Sequence, residues 1–467
     1  MTSEPTYEYW REYPERDPQA VVWYPCIYGP LDPDDIWRAG PAASPGSRKK
    51  GIGYYIHVPL CKQVCKYCPF NKYRWTPSRA AQYLQAVKEE IRAVAARSYF
   101  QKTQVIAGYL GGGTPTALEA GEIAGLIEWC HRHFDVAPDA ELCVEATPDT
   151  IDAEKLRVLR DLGVNRLSIG VQSFNSRLLR IMGRAPTPRQ SLRAIELAHR
   201  IGFEVLTIDL LYRVPGQTLV DWEEDLRQAA DLDLDHLTAF SLAIDPGTAL
   251  YHEISRGKVM TQADEETELA MYGLAVDILG AAGYQLYTLY DFARKGKECL
   301  HHALNWRAPQ GDYAGFGPGA FSFIQNERES FIYCNLSSLN KYADCVRQGR
   351  QPVDFGKKLT PEEEMSRYLV LGVNFLRVPL APFRERFGVD LTQIYGQAIS
   401  KLKSWGLIQI DDREMALTDK GKKYLANVSK MFFTDENRGK PHVIGVELQK
   451  GEGLSLIGLN REESEHR

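Results

Sequence analysis

The 467-residue sequence has no stretch approaching the ~18 uninterrupted apolar residues of a membrane span, so no membrane partner is expected. It has no surplus of positive charge either. A net charge of −5 and a pI of about 6.1 supply no global basic field, which argues against a nucleic-acid partner. The start, Met1-Thr2-Ser3-Glu4-Pro5, lacks the basic and apolar segments of a secretory signal, and a cytoplasmic setting is the expectation. Internal repeats and low-complexity tracts are missing. Cysteine is scarce and odd in number. Nine residues do not suit a disulfide framework and fit reduced thiols. Six of them, Cys26, Cys130, Cys143, Cys299, Cys334 and Cys345, are scattered and read as small buried side chains.

The other three share one loop, in Tyr55-Ile-His-Val-Pro-Leu-Cys61-Lys-Gln-Val-Cys65-Lys-Tyr-Cys68-Pro-Phe70. Three thiolates this close can hold three irons of a cubane 4Fe–4S cluster, leaving the fourth iron open. Zinc would need a fourth Cys or His in a tetrahedral set. His57 is the nearest candidate, and it sits in a strand-like run. The open-iron arrangement resembles that of radical S-adenosylmethionine (SAM) enzymes. There the amino and carboxylate groups of SAM chelate the open iron, and an electron splits SAM into methionine and a 5′-deoxyadenosyl radical.

The length allows two or three domains. Residues 1–50, rich in Pro, Tyr, Trp and charge, read as an irregular arm packed on the main domain, with a linker at 41–50. Strand-like runs then recur at Gly53–Val58, Val105–Leu110, Glu141–Ala146, Arg166–Val171, Val205–Leu211 and His236–Leu242, with helical periods between them. Six such β-then-α units predict an α/β fold, a partial (β/α)6 TIM-type barrel with active groups at the C-terminal strand ends. Tyr284–Tyr290 and Gly311–Phe323 extend the sheet or close its mouth. Residues 51–350 are assigned to this domain and 351–435 to a C-terminal winged-helix-like domain. The domain reads as a packing or substrate-covering unit, and a polar tail occupies 436–467.

Candidate ligand-binding residues sit at the strand ends. Gly111-Gly112-Gly113-Thr114-Pro115 follows a strand and lets backbone approach a ligand closely, as the SAM amino group requires. Glu145 and Gln172 end the third and fourth strands, and Glu145 is read equally as a SAM ligand or a solvated acid. Arg184 matches a carboxylate by a two-pronged hydrogen bond, that of SAM being the natural partner and a surface salt bridge the alternative. Asp209 is an acid within an apolar strand and so reads as functional. Cys299, His301 and His302 could bind a metal, though a substrate-facing or second-cofactor role is the stronger reading. The turn Gly315-Phe-Gly317-Pro-Gly-Ala320 offers a site for a second SAM or is simply a tight turn.

The motif order resembles the oxygen-independent coproporphyrinogen III oxidase family of radical SAM enzymes. It is carried by Tyr55–Cys61, Gly111–Pro115, Asn165–Ser173, Asp209-Leu-Leu-Tyr-Arg-Val-Pro-Gly-Gln-Thr218 and Leu417–Gly421, and spans about Tyr55 to Phe433. The resemblance implies cluster ligands at Cys61, Cys65 and Cys68. It implies SAM contacts at Tyr55, Gly112, Gly113, Thr114, Glu145, Gln172, Arg184 and Asp209, with Tyr55, Glu145 and Asp209 closest to catalysis. It also implies a second SAM near Gly317 and Ala320. The sequence departs from the family where Phe70 replaces a fourth Cys, where about fifty residues precede the loop, and where His302 replaces Asn and Arg213 replaces Gly.

These departures set the leading expectation: a class C radical SAM enzyme of natural-product (antibiotic) biosynthesis. It would pass a methylene or methyl unit from a second SAM to an sp² carbon of an aromatic or unsaturated small molecule, as a methylase or a cyclopropane former. Flavodoxin or ferredoxin would donate the electron, and a second pathway enzyme would be a further partner. The alternatives are porphyrin chemistry, meaning coproporphyrinogen decarboxylation or heme degradation with Arg74 and Arg213 on the carboxylates, and a non-catalytic heme chaperone.

Overall fold

The structure, a computed structural model, describes residues 11–438 apart from 18, 19, 27 and 43–48. The tail beyond 438 and most of the proposed linker fall outside the described residues. Six strands form the barrel: β1 (Lys50–Val58), β2 (Thr103–Gly112), β3 (Val136–Ala146), β4 (Arg166–Gln172), β5 (Val205–Tyr212) and β6 (His236–Ser241). They are hydrogen-bonded in sequence order and all run parallel. Parallel neighbours need crossovers, and helices Pro77–Ala95, Ala120–His133, Ala153–Asp161, Pro188–Ile201 and Leu219–Ala230 supply them. Every residue of β4 is buried, as in a sheet covered on both faces.

Local chemistry fixes the helix ends. Thr76 accepts from the Arg79 amide, and Thr187 with Gln190 and Thr218 with Asp221 form reciprocal capping boxes. Gly183 and Gly202 end their helices in the left-handed conformation that glycine adopts without penalty.

The sheet extends beyond the barrel strands. Asp312–Phe316 lies parallel to the outer edge of β1, and Phe321–Gln325, Ser330–Asn335 and Val353–Lys358 add antiparallel strands. Asp291–Ala293 runs antiparallel along β6. Within Tyr284–Tyr290 only Gln285–Leu286 is strand, because the Thr288 hydroxyl accepts from the Asp291 amide and turns the chain. The last sheet strand, Val353–Lys358, lies past residue 350, where the sequence pattern placed the domain boundary. Helices Pro361–Gly372, Ala381–Phe387 and Leu391–Ser404 and the three-stranded sheet of Arg377–Pro379, Ile408–Ile410 and Glu414–Leu417 then give a winged-helix order.

The described part of the arm packs on the C-terminal unit as well as on the barrel. Asp17 forms a buried ion pair with Lys430, and the Tyr24 hydroxyl meets Thr434. Trp306 of the barrel domain donates to the Val22 carbonyl at 3.2 Å. Arg16 holds Glu268 through two hydrogen bonds of 3.1 Å, and Arg213 reaches the same carboxylate at 2.7 Å. Arg213 has φ +61°, a conformation that costs a non-glycine residue about 1–2 kcal/mol. The position where the family resemblance expects Gly thus carries a strained Arg that shares Glu268 with Arg16 of the arm. Glu268 is nearly fully buried, so removing it leaves Arg213 and Arg16 together with only the half-exposed Glu265, 3.9 Å from Arg16, as counter-charge. Glu268→Ala is expected to cost about 3 kcal/mol, more than Arg16→Ala. Thermal unfolding of the two variants checks the order.

Candidate functional site

β1 ends at Val58, and the cysteine loop follows immediately. Leu60–Cys61 pairs with Tyr73–Arg74, which closes the loop at its base. Cys61 is buried, while Cys65 and Cys68 are half-buried. All three thiols line one cavity of about 150 Å³ at the C-terminal strand ends. Gly112, Gly113 and Thr114 from β2 and its turn, Glu145 from β3, Gln172 from β4, Arg184 from the turn after helix Ser176–Met182, and Asp209 from β5 line the same cavity. Seven side chains and turn residues proposed from sequence are therefore brought together with the cysteines. Tyr55 is not among the lining residues. Its hydroxyl meets His57 Nδ1 at 3.2 Å, and its ring stacks on Tyr109 and His301.

His57 has both ring nitrogens in use, since Nε2 bonds the Asn71 carbonyl at 2.9 Å. Burial lowers its pKa to about 4, so the ring is neutral and structural. It has no nitrogen left for zinc. Among the described residues no group of three or more His, Cys, Asp or Glu side chains is arranged to hold a single metal ion, the Cys299, His301 and His302 group included.

The residues fit a cluster with a bound cofactor. Burial pushes the Cys61 thiol up to about 12, with the Thr114 hydroxyl, 3.7 Å from its sulfur, opposing. A thiolate there needs a metal to compensate its charge. Arg184 places Nη1 3.3 Å from the Cys65 sulfur and hydrogen-bonds the Gly170 carbonyl. Burial opposes the Arg184 charge, but Cys65 and Tyr67 beside it hold its pKa above the ordinary value. The Arg184 Nε is buried and has no hydrogen-bond partner among the described residues, a donor left over at the cavity wall. Gln172 has φ +72° at a register shift opposite β5, a strained backbone at the site itself.

Glu145 and Asp209 line the cavity with the thiols. Glu145 accepts from the Tyr109 hydroxyl at 2.8 Å and the Gly112 amide at 3.1 Å. Burial raises its pKa, and these two donors oppose. Burial, with the charges of Glu145 and Asp291 adding, pushes Asp209 up to about 7. Sequence reasoning missed Thr147 and Asp149, which also line the cavity. They follow β3 directly, so the strand-end rule alone marks them.

Gly317 and Ala320 stand elsewhere. Ala320 is 1% exposed, and the Gly317 amide donates to Glu90 at 2.8 Å. A side chain at Gly317 would meet the His57 carbonyl at 2.5 Å, so glycine serves close backbone packing there. Neither residue lines the cysteine cavity. Arg74 is exposed, and Arg213 is taken up by Glu268.

The cysteine cavity at the barrel mouth defines the class: residues 55–229 match the radical SAM superfamily, and residues 359–422 match the HemN C-terminal domain. The chain is 33% identical over 370 residues to heme chaperone HemW of Bacillus subtilis, spanning 79% of this chain and 95% of that protein. It is 31% identical to heme chaperone HemW of Lactococcus lactis, spanning 82% and 97%. The structure superposes on coproporphyrinogen III oxidase (HemN) of Escherichia coli with a TM-score of 0.73 and 26% identity, covering 83% of this chain and 91% of that one. The chain belongs to the HemN/HemW-like family of radical SAM proteins.

These relatives overturn the class C expectation. A methylase or cyclopropane former of antibiotic biosynthesis finds no counterpart in them, and the function and enzyme class expected from the departures are corrected accordingly. A second SAM is likewise unsupported, since the turn offered for it is packed against protein. The Phe70 departure is real but sits at the cavity rim, 48% exposed, where it changes the surface met by a ligand and leaves the three thiols in place.

Two outcomes follow. Cys61→Ala, Cys65→Ala and Cys68→Ala are each expected to lose the cluster, whereas Cys130→Ala keeps it. Iron and sulfide analysis after anaerobic reconstitution checks this. Asp209 is neutral below about pH 7 and anionic above it. SAM carries a sulfonium cation, so its affinity is expected to rise roughly fivefold from pH 6 to 8. Asp209→Asn should flatten that rise, as read by calorimetry on the reconstituted protein.

Proposed function

We propose that this chain binds heme at the barrel mouth and acts as a heme chaperone that also carries a 4Fe–4S cluster and one SAM. The observation that carries the reading is the 33% identity spread over 95% of a protein named heme chaperone. Cys61, Cys65 and Cys68 would hold the cluster, and Arg184, Glu145 and Asp209 would surround SAM. The cluster, when bound, supplies one-electron reduction of SAM. The protein's own part is to exclude water with the buried strand ends and to keep Arg184 charged beside Cys65. Phe70 and Val64, both exposed beside the cysteine loop, give an apolar rim suited to a flat macrocycle. An acidic electron donor of the flavodoxin or ferredoxin kind belongs to this proposal. Lys72 is the cation of the cysteine loop not paired to a carboxylate among the described residues, since Lys62 and Lys66 pair with Glu119 and Glu253. No described helix is long and apolar enough to cross a membrane, and a cytoplasmic setting belongs to this proposal.

A second reading is kept because Gly112, Gly113, Thr114, Glu145, Gln172, Arg184 and Asp209 line one cavity with the three thiols. A relative named anaerobilin synthase, 28% identical and matched over 82% of its length, favours chemistry on the bound tetrapyrrole. The reconstituted chain, mixed with heme, SAM and reductant without oxygen, separates the two. The chaperone reading predicts that heme is bound, recovered unchanged and passed to an apo-globin. Stoichiometric 5′-deoxyadenosine with a change in tetrapyrrole mass supports the second reading. Failure to bind heme contradicts both.

A further inference from the structure

The chain leaves the cysteine loop at Asn71, three residues past Cys68, and this polar side chain is buried. Its amide nitrogen donates to two carbonyls far along the chain, Pro318 at 3.0 Å and Ser337 at 2.8 Å. His57 Nε2 donates to its backbone carbonyl at 2.9 Å, which ties it to β1 as well. The middle of the loop is held separately. The Lys66 amide donates to the Met182 carbonyl at 3.0 Å, and the Leu250 amide donates to the Lys66 carbonyl at 2.9 Å. Asn71 is therefore the tie at the exit of the loop, next to the third thiol.

The turn that receives Asn71 is itself held from behind. The Gly317 amide donates to Glu90 at 2.8 Å. The Asn335 amide nitrogen bridges the Glu90 carboxylate at 2.6 Å and the Gly317 carbonyl at 3.1 Å. The Tyr342 hydroxyl also donates to Glu90. Glu90 is buried in helix Pro77–Ala95 and makes no ion pair among the described residues. A buried carboxylate without a cation is costly, and here three donors stand in for one. Burial pushes its pKa up to about 7, with the three donors opposing. The turn sits close against Asn71, since a side chain at Gly319 would come within 3.2 Å of the Asn71 amide nitrogen. Neither Asn71 nor Glu90 lines the cysteine cavity, so neither touches what that cavity holds.

We propose that Asn71 is a positioning residue for the cluster: its two hydrogen bonds fix Cys68 at the exit of the loop, and Glu90 acts behind it by holding the Gly317–Gly319 turn. This rests on the cluster reading above. The potential of an iron–sulfur cluster depends on its solvent exposure and on the polar groups around its sulfurs. Cys68 is half-buried, so its exposure follows the seating of this segment. Lys72, the next residue, donates to the Cys68 carbonyl at 2.6 Å, and its charge acts on the Cys68 thiol. Freeing Asn71 would loosen that cation together with the loop.

Iron release to a chelator and the reduction potential of the cluster, both measured on the reconstituted full chain without oxygen, test it. Asn71→Leu keeps the volume and removes both donors. It is expected to release iron roughly tenfold faster, the equivalent of two lost hydrogen bonds. Its potential should rise, because water reaching Cys68 favours the more negative reduced cluster. Glu90→Leu should move both readings the same way and by less. Glu90→Gln keeps an acceptor for the Gly317 amide and should restore wild-type values. Asn427 is the control, a buried Asn of the C-terminal unit whose amide donates to the Arg11 and Glu15 carbonyls, each at 2.9 Å. Asn427→Leu should lose stability and keep wild-type iron release and potential. Wild-type readings in Asn71→Leu, or an equal change in Asn427→Leu, overturn the proposal. Where Asn71→Leu fails to fold, the Glu90 pair decides: a shift in Glu90→Leu alone supports the proposal, and equal readings from the two overturn it. A wild-type chain that takes up no cluster overturns the cluster reading and this proposal with it.

Discussion

Six parallel strands, each hydrogen-bonded to the next in sequence order, decide where every functional group lies. Because β1 to β6 run the same way, their C-terminal ends share one edge of the sheet. The cysteine loop leaves β1 there, the glycine turn leaves β2, and Glu145, Gln172 and Asp209 arrive on β3, β4 and β5. The crossover helices put long stretches of chain between these residues and still bring them to one cavity. The site is therefore a consequence of strand direction, and its chemistry is set by which residue each strand carries at its end.

Charge balance is the second constraint. Glu145, Asp209 and Asp291 place three carboxyl groups in a buried space. Their environments separate them. Burial raises Glu145 and Asp209. Asp291 is held below the ordinary value because His302, reinforced by His236 and Thr288, outweighs the burial that would raise it. One carboxylate thus stays ionised beside an imidazole while another is poised near neutrality. The same logic holds at the mouth, where Arg16 and Arg213 share Glu268 and join the arm to the barrel. That pairing makes sense of two departures at once, since a strained Arg at 213 gains its partner only with Glu268 in place.

The regular parts of the fold were legible because they rest on local rules. Apolar runs, helix caps and turn residues mark the six units, and the strand-end rule selects Glu145, Gln172 and Asp209. Long-range pairings were not legible. Arg16 meets Glu268 across 252 residues, and Asp17 meets Lys430 across 413. No local pattern announces either. The turn at Gly315–Ala320 shows the opposite failure. Its glycines look like a ligand cradle, but Gly315 would strike the Phe321 carbonyl at 2.0 Å and Gly317 the His57 carbonyl, so backbone packing already explains them. The departures at Phe70, His302 and Arg213 were read as signs of a different reaction. The structure gives two of them local roles, at the cavity rim and in the arm anchor, and leaves the three thiols untouched.

The account's central claim is that one barrel holds a cluster at its cysteine loop and a heme within its mouth. Anomalous diffraction at the iron edge, from crystals of the chain loaded with cluster, SAM and heme, tests it most directly. The account predicts a cluster peak enclosed by Cys61, Cys65 and Cys68, and a separate single-iron peak at the barrel mouth. A cluster peak alone, or a heme iron on the outer surface away from the strand ends, would contradict it.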